Sequence, residues 1–327
     1  MEPQVSLALR RRRQEAIPWA ELSDLTGLPP RRLAAAVEDL SRRGYVIESH
    51  PHMGLRLLEA PPSLNAEEVA WGLQVGRIGR RVECVEEASS TNDLAWEAAR
   101  LGTAGSDGLA ILAEHQTQGR GRRGNRWLAP PHTAILCSTV LWTPPAGAEP
   151  GAVTRAAALA AAWAIEDQCD LDVGIKWPND IVIDGCKAGG ILVEARPGPG
   201  QAIPLVLGIG INCSQRVEAF PPEIRPRITS LAILGAAIDR TLLARSLLER
   251  LDLAWRRMAE PDGLAAIRQE ATLRCRTLGD RLTVVENGVP YSGEVVDIDP
   301  EYGLVLRLPG GALRRMPAMT SHVVPEP

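Results

Sequence analysis

Only two lysines, Lys176 and Lys187, stand among the 36 basic residues of this chain, and the remaining 34 are arginine. They lie 11 residues apart, one opening the string Lys176-Trp-Pro-Asn-Asp and the other inside Asp184-Gly-Cys-Lys-Ala-Gly-Gly-Ile-Leu-Val-Glu. An ammonium is a compact point charge, whereas a guanidinium is a broad planar fork. Arginine-biased codon usage explains the scarcity of lysine, but the two survivors mark places where arginine is a poor substitute. A second string, Gly119-Arg-Gly-Arg-Arg-Gly-Asn-Arg-Trp, alternates backbone that can approach an anion closely with guanidinium donors that can bind it, which points to phosphate. It is not a P-loop, which ends in Lys-Ser/Thr at a helix start. A third, Ser89-Ser-Thr-Asn, has the form of a helix entry, where hydroxyls and backbone N–H groups face a ligand. By itself such a string is usually only a cap.

These strings need elements to hold them. Residues 1–58 read as three helices and a hairpin: Val5–Ala16, Trp19–Thr26 stopped by Gly27, and a third from Pro29 or Pro30 to Arg43. Strand-like segments from Tyr45 and from Leu55 then flank a turn-rich loop. That is the order of a winged helix-turn-helix, in which Arg31 and Arg32 open the helix that enters the major groove. Residues 1–60 carry nine arginines against eight acids, a weak basic footprint. Glu59-Ala-Pro-Pro-Ser-Leu-Asn reads as a linker. From Ala66 to about residue 272, strands over 110–113, 134–141, 173–177, 181–183, 191–193 and 205–211 alternate with helices over 92–101, 154–168 and 241–258, a mixed α/β domain. Asp184-Gly185 between two apolar runs predicts a hairpin, so part of the sheet is antiparallel. The tail from Gly279 to Val324 offers short strands with Asn287-Gly288 and Gly310-Gly311 turns, as in a small SH3-like β-barrel.

At 327 residues two or three domains are expected. The net charge of −4 argues against a protein coated in nucleic acid and leaves room only for a local DNA-binding surface. The six cysteines have no paired metal-type spacing and read as buried free thiols of a reducing cytoplasm. No signal-peptide core follows Arg10–Arg13, and the longest apolar run, Ala156–Ile165, is too short to span a bilayer.

As an ordered set, GRGRRG, KWPND, GILVE and GIGIN, preceded by SSTN and Gln116, give the chain over nearly its whole length a pattern that resembles bacterial biotin–protein ligases of the bifunctional ligase/repressor type. The resemblance implies an α/β multidomain protein: a winged helix-turn-helix over 1–60, a catalytic domain of the class II synthetase and biotin-ligase kind over 66–272, and an SH3-like barrel over 273–327. It implies activation of biotin by ATP and Mg2+ to biotinyl-AMP, then transfer to one lysine of a biotin carboxyl carrier domain. Ser90, Thr91, Asn92 and Gln116 would bind biotin, in an apolar pocket around Gly189, Gly190, Ile191 and Leu207. Arg120, Gly121 and Arg122 would belong to a loop that closes over biotin and the adenylate. Lys176 would reach the reacting carboxylate and phosphate, and Lys187 and Asn212 would lie on the nucleotide side. Arg31 and Arg32 would meet operator DNA, with a homodimer as the binding form. The magnesium ligands are not implied. Three places depart from the family: Asn125 stands where arginine is common, Pro317-Ala-Met-Thr-Ser-His replaces a Ser-Gly-Glu ending, and Pro29-Pro-Arg-Arg-Leu replaces a polar, small-residue opening. The alternatives are a lipoate or octanoate ligase of the same fold, a ligase with a vestigial winged helix, and a repressor whose catalytic domain serves mainly as a sensor.

Overall fold

The computed structural model describes residues 1–142, 148–196, 204–299, 303–318 and 320–324. Three helices come first, α1 (Pro3–Arg11), α2 (Trp19–Thr26) and α3 (Pro30–Arg42), followed by the antiparallel hairpin β1 (Val46–His50) and β2 (Gly54–Glu59). The first helix ends at Arg11, five residues short of the expected Ala16, because the chain beyond it finds other partners. Gln14 adopts φ 69° and donates its N–H to the Leu57 carbonyl, and Ile17 exchanges two backbone hydrogen bonds with Leu55. Gly54 turns here at φ 93°, where a Cβ would lie 2.0 Å from the Ile17 carbonyl oxygen. Leu9, Leu22, Leu33, Leu40, Leu55 and Leu57 form a core belonging to these elements alone.

Arg10 leaves that core toward the rest of the molecule. Its guanidinium is buried, 2.8 Å from Asp239 and 3.2 Å from Glu68, and it donates to the Tyr45 hydroxyl at 3.1 Å. Glu68 lies on the short helix α4 (Ala66–Ala70), with a fully buried side chain. Removing the arginine would strand two carboxylates, at a cost of about 3–5 kcal/mol.

The middle of the chain builds a seven-stranded sheet from β3 (Val82–Ala88), β4 (Ala110–Gln116), β5 (Ala134–Leu141), β6 (Gly174–Lys176), β7 (Asp180–Ile183), β8 (Cys186–Ala195) and β9 (Leu205–Asn212), in spatial order β3-β4-β5-β9-β8-β7-β6. Only β3 and β4 pair in parallel, so the sheet is mixed. Asp184 and Gly185, at φ 49° and 74°, form the two-residue turn joining β7 to β8. One face is covered by α7 (Pro150–Glu166), α8 (Arg240–Met258) and α9 (Gly263–Leu273), with the alanines of α7 packed in the main core. The opposite face is covered only in part. There α5 (Thr91–Arg100) sets Ala95, Trp96 and Ala99 against Ile111, Val140 and Val206, and α6 (Thr103–Ser106) follows it. β3 and α9 are absent from the sequence expectation.

The tail forms β10 (Arg281–Glu286), β11 (Val289–Ile298), β12 (Leu304–Arg307), β13 (Leu313–Met316) and β14 (Ser321–Val323), an antiparallel sheet in the order β13-β12-β11-β10-β14. Asn287 and Gly288, at φ 50° and 83°, make its first turn. Its core of Val284, Val295, Leu304, Leu306 and Met316 takes in Trp177 from the KWPND string. The backbone N–H of Trp177 also donates to the Thr277 hydroxyl at 3.0 Å. The tail therefore holds the strand end that carries Lys176. Of the departing C-terminal segment, Met319 lies outside the described residues.

All six thiols are free, and burial pushes Cys137 and Cys213 up to about 12, so neither is a thiolate at neutral pH. Among the described residues no helix is long and apolar enough to cross a membrane.

Candidate active site

A cavity of about 1330 Å³ opens over the partly covered face of the central sheet, between the loop after β4 and the C-terminal sheet. Its floor is glycine. A Cβ on Gly208 would meet the Asn92 side-chain oxygen at 2.3 Å, and one on Gly210 would meet the Trp127 ring at 2.5 Å. On β8, a Cβ at Gly190 would lie 3.3 Å from the same ring. The glycines of GILVE and GIGIN are thus required because side chains from α5 and the arginine loop lie directly against the strands.

The wall on the α5 side is a connected set of polar groups. Ser90 caps the helix, its hydroxyl accepting from the Asn92 N–H. Gln116, at the end of β4, accepts from the Thr91 N–H at 2.7 Å and the Thr91 hydroxyl at 3.1 Å. Ser138 donates to the Asn92 amide oxygen at 2.6 Å, and the Asn92 amide nitrogen donates to Glu194 at 2.8 Å. Ser90, Thr91 and Asn92 are all buried. Each is fixed by a neighbour, so the wall is preorganised.

The arginine loop folds back on itself. Arg120 and Arg126 form a β-bridge, Gly121 donates to the Asn125 carbonyl at 2.7 Å, and Arg123 and Gly124 turn the chain at φ 58° and 80°. Arg120 faces Asp93 at 2.7 Å, while its Nε and Nη2 atoms are shielded and have no hydrogen-bond partner among the described residues. Arg122 donates to the Ala318 carbonyl, tying the loop to the C-terminal sheet. Asn125 is exposed at the cavity edge.

Lys176 lines the cavity from the end of β6, exposed, and among the described residues it has no ion pair. Lys187 lines it from β8, 2.6 Å from Asp180 and 5.8 Å from the centre of the Trp127 ring. One cavity therefore gathers Ser90, Thr91, Asn92, Gln116, Arg120, Gly121, Arg122, Lys176 and Lys187. Asn212 is elsewhere: it is buried, donates to the Thr229 carbonyl at 2.9 Å, accepts from Gln215 at 3.0 Å and braces the loop after β9. Gly189 and Leu207 also lie off the lining, whereas Gly190 and Ile191 are on it. Strand alternation turns Gly189 toward Ile181 and Leu207 into the main core. Arg31 and Arg32 lie far along the chain at the first turn of α3, with Arg32 paired to Glu2.

Trp127 and Asp180 line the cavity, and Glu194 stands behind Asn92 and Arg120, none of them having been singled out from sequence. Trp127 ends the arginine string, so proximity was available as a signal; Glu194 acts through tertiary contacts alone.

A mixed sheet with one partly open face, a glycine floor and convergent cations makes a site whose chemistry suits an anionic ligand. The pattern of the Biotin/lipoate A/B protein ligase family matches residues 84–212. The Bifunctional ligase/repressor BirA of Bacillus subtilis is 32% identical over 227 residues, covering 69% of this chain and 69% of its own. The Biotin--[acetyl-CoA-carboxylase] ligase of Mycobacterium tuberculosis is 36% identical over 242 residues, covering 71% and 85%. The fold is similar to that of the biotin protein ligase from Aquifex aeolicus, with TM-score 0.64 at 22% identity, over 76% of this chain and 100% of that one. The chain belongs to the biotin/lipoate A/B protein ligase family, as a biotin–protein ligase.

Proposed function

We propose that the chain activates biotin with ATP to biotinyl-AMP and pyrophosphate, then transfers biotin to a lysine of a carboxylase carrier domain. The observation that carries this reading is the meeting of both lysines and the arginine loop around one glycine-floored cavity. Attack of a carboxylate on the α-phosphate brings anions together, so fixed cations aimed at the developing charge are the main requirement. Ser90, Thr91, Asn92 and Gln116 are assigned to the biotin end, Lys176 and Arg120 to the carboxylate and phosphate, and Arg122, tied to the Ala318 carbonyl, to holding the loop over the adenylate. Lys187, beside Trp127, is assigned to the nucleotide. A magnesium ion arriving on ATP brings phosphate oxygens as ligands and needs only one or two protein carboxylates; Asp180 on the cavity wall would meet that demand by exchanging its ion pair with Lys187 for the metal. The metal would neutralise phosphate charge. Incubation with ATP, magnesium, a carrier domain and either biotin or lipoate, followed by weighing the carrier, tests the reaction. A carrier that gains lipoate and not biotin overturns the choice of acid.

The glycine floor supplies a sharper expectation. Gly208→Ala drives a methyl into Asn92, so biotin binding weakens by about 5- to 150-fold, the scale of 1–3 kcal/mol of overpacking. Titration calorimetry without ATP reads it directly, and unchanged affinity would remove Asn92 from the biotin wall.

We further propose that the three helices and hairpin before residue 60 serve as a winged helix-turn-helix that reads an operator, and that residues 273–327 form an SH3-like barrel. Support for the first is the order of elements and the position of Arg31, at the start of α3 and without an ion pair among the described residues. Charge is only permissive, since Arg12, Arg32, Arg43 and Arg56 are paired with acids of the same unit. A dimer is therefore needed to reach useful affinity, and the biotinyl-AMP complex is the form expected to favour it. Deleting residues 1–60 would strand Glu68 and Asp239, so point substitution is the cleaner test. Arg31→Ala should weaken binding to the protein's own operator by about 1–3 kcal/mol if it reads a base. Binding by the unaltered protein should fall steeply with salt. If no fragment of its own genome is preferred over random DNA at low salt in the presence of biotin and ATP, the repressor role fails.

A further inference from the structure

We propose that Glu194 is a positioning residue that couples the biotin wall to the closing loop: its carboxylate fixes Asn92 and, together with Asp93, aims Arg120 at the anion in the cavity. The assignment rests on the ligase reading given above. Glu194 is the one acid of the GILVE string, near the end of β8, and sits opposite Val206 on β9. Strand alternation puts it on the face shared by Leu192 and Gly190, the face that carries the cavity. One of its oxygens, Oε2, receives the Asn92 amide at 2.8 Å and the Trp96 indole N–H at 3.2 Å, and stands 3.5 Å from Nη2 of Arg120. Its other oxygen lies 3.5 Å from Arg196.

Three separate pieces of chain therefore converge on one carboxylate: the first turn of α5, the sheet, and the arginine loop. Asp93 completes the clamp. It binds Nη1 of Arg120 at 2.7 Å and is itself held by the Ser89 hydroxyl at 2.8 Å. The guanidinium is thus gripped by charge through Nη1 and Nη2, while the Nε and Nη2 protons make no hydrogen bond among the described residues. An arginine that served only to decorate the surface would turn those donors to water. Here they are shielded, in a cavity lined by cations, and an anionic oxygen is the partner that fits them. Pairing Arg120 with Asp93 and Glu194 also lowers the repulsion among the cations that line the cavity.

Glu194→Gln and Glu194→Ala separate the two jobs. Glutamine keeps an oxygen that can accept from Asn92 and removes the charge that faces Arg120; alanine removes both. Glu194→Gln should raise the KM for biotin less than Glu194→Ala does, because the hydrogen bond to Asn92 is kept. Release of free biotinyl-AMP by Glu194→Gln before transfer should rise about two- to fivefold, the scale of one partly exposed charge contact. Glu194→Ala should in addition raise the KM for biotin about fivefold with little change in kcat, because Asn92 loses a fixed hydrogen bond. In a double-mutant cycle, Glu194→Gln with Arg120→Gln should release no more adenylate than Arg120→Gln alone. Release from Glu194→Gln equal to that of the unaltered enzyme, or additive effects in the cycle, overturns the assignment. An unaltered protein that shows no biotin-dependent exchange of pyrophosphate into ATP overturns the ligase reading itself, and this assignment with it.

Discussion

Lys176→Arg is expected to lower the rate of biotin-dependent adenylation about 10²-fold or more, the usual consequence of disturbing one group aimed at charge that develops in the transition state. The side chain stands at the end of β6 with no ion pair among the described residues, so its whole charge is available to a ligand. Its backbone cannot shift to accommodate a larger head. Trp177, the next residue, is locked in the core of the C-terminal sheet, and Ile175 exchanges backbone hydrogen bonds with Arg274 and Arg276. A guanidinium on this rigid strand end is broader, with its charge spread over three nitrogens, and cannot sit between a carboxylate and a phosphate as an ammonium does. Biotin affinity should change much less, because the polar wall from Ser90 to Gln116 is untouched. Pyrophosphate release measured beside biotin titration separates the two. Near-normal turnover in the variant would defeat the role given to Lys176.

The contacts that hold Ile175 and Trp177 are not contained in KWPND as a string. The lysines, the arginine loop and the hydroxyls before α5 were legible because their residue types are unusual for their chemistry, and the structure gathers them in one cavity. The hairpin at Asp184-Gly185 was legible because left-handed turn residues between two apolar runs leave the chain little choice. β3 was not. Its sequence, Val82-Glu-Cys-Val-Glu-Glu-Ala, is an edge strand with three glutamates, and its burial does not alternate cleanly between apolar and polar residues. α9 was missed for a related reason: Gly263-Leu-Ala-Ala-Ile opens without a side-chain cap and buries only Gly263, Ile267 and Ala271. At Asn212 the motif pointed to the cavity, but the backbone leaves β9 there and turns the amide inward to hold Thr229. Motif order picked out residues most of which the structure brings to one cavity; the direction each side chain takes was decided by partners distant in sequence. Glu194 and Trp127 are the same lesson from the other side, since neither has a local pattern that sets it apart from an ordinary strand acid or an ordinary tryptophan.

Arg122→Gly is expected to retain adenylation and lose containment. The loop is a small self-paired turn whose far side is attached to the C-terminal sheet through the donation from Arg122 to the Ala318 carbonyl. Glycine removes that attachment and, beside Gly121 and Gly124, adds backbone freedom to a segment that already turns at Arg123 and Gly124. The polar wall, Lys176 and Lys187 stay in place, so the phosphate is still attacked. What changes is the lifetime of the product in the cavity. Losing one hydrogen bond from a charged donor corresponds to about 1.5–3 kcal/mol. Free biotinyl-AMP should therefore leave about 10- to 100-fold faster and acylate lysines that never dock with the enzyme. The enzyme itself offers only two such targets in its whole sequence, both in the cavity wall, so the label should appear on other proteins. Mass spectrometry of a lysine-rich bystander, added with biotin, ATP and magnesium but without a carrier domain, reads this out. Bystander labelling no greater than with the unaltered enzyme would mean that the loop does not retain the adenylate, and that the anchoring of Arg122 to Ala318 serves only to hold the C-terminal sheet in place.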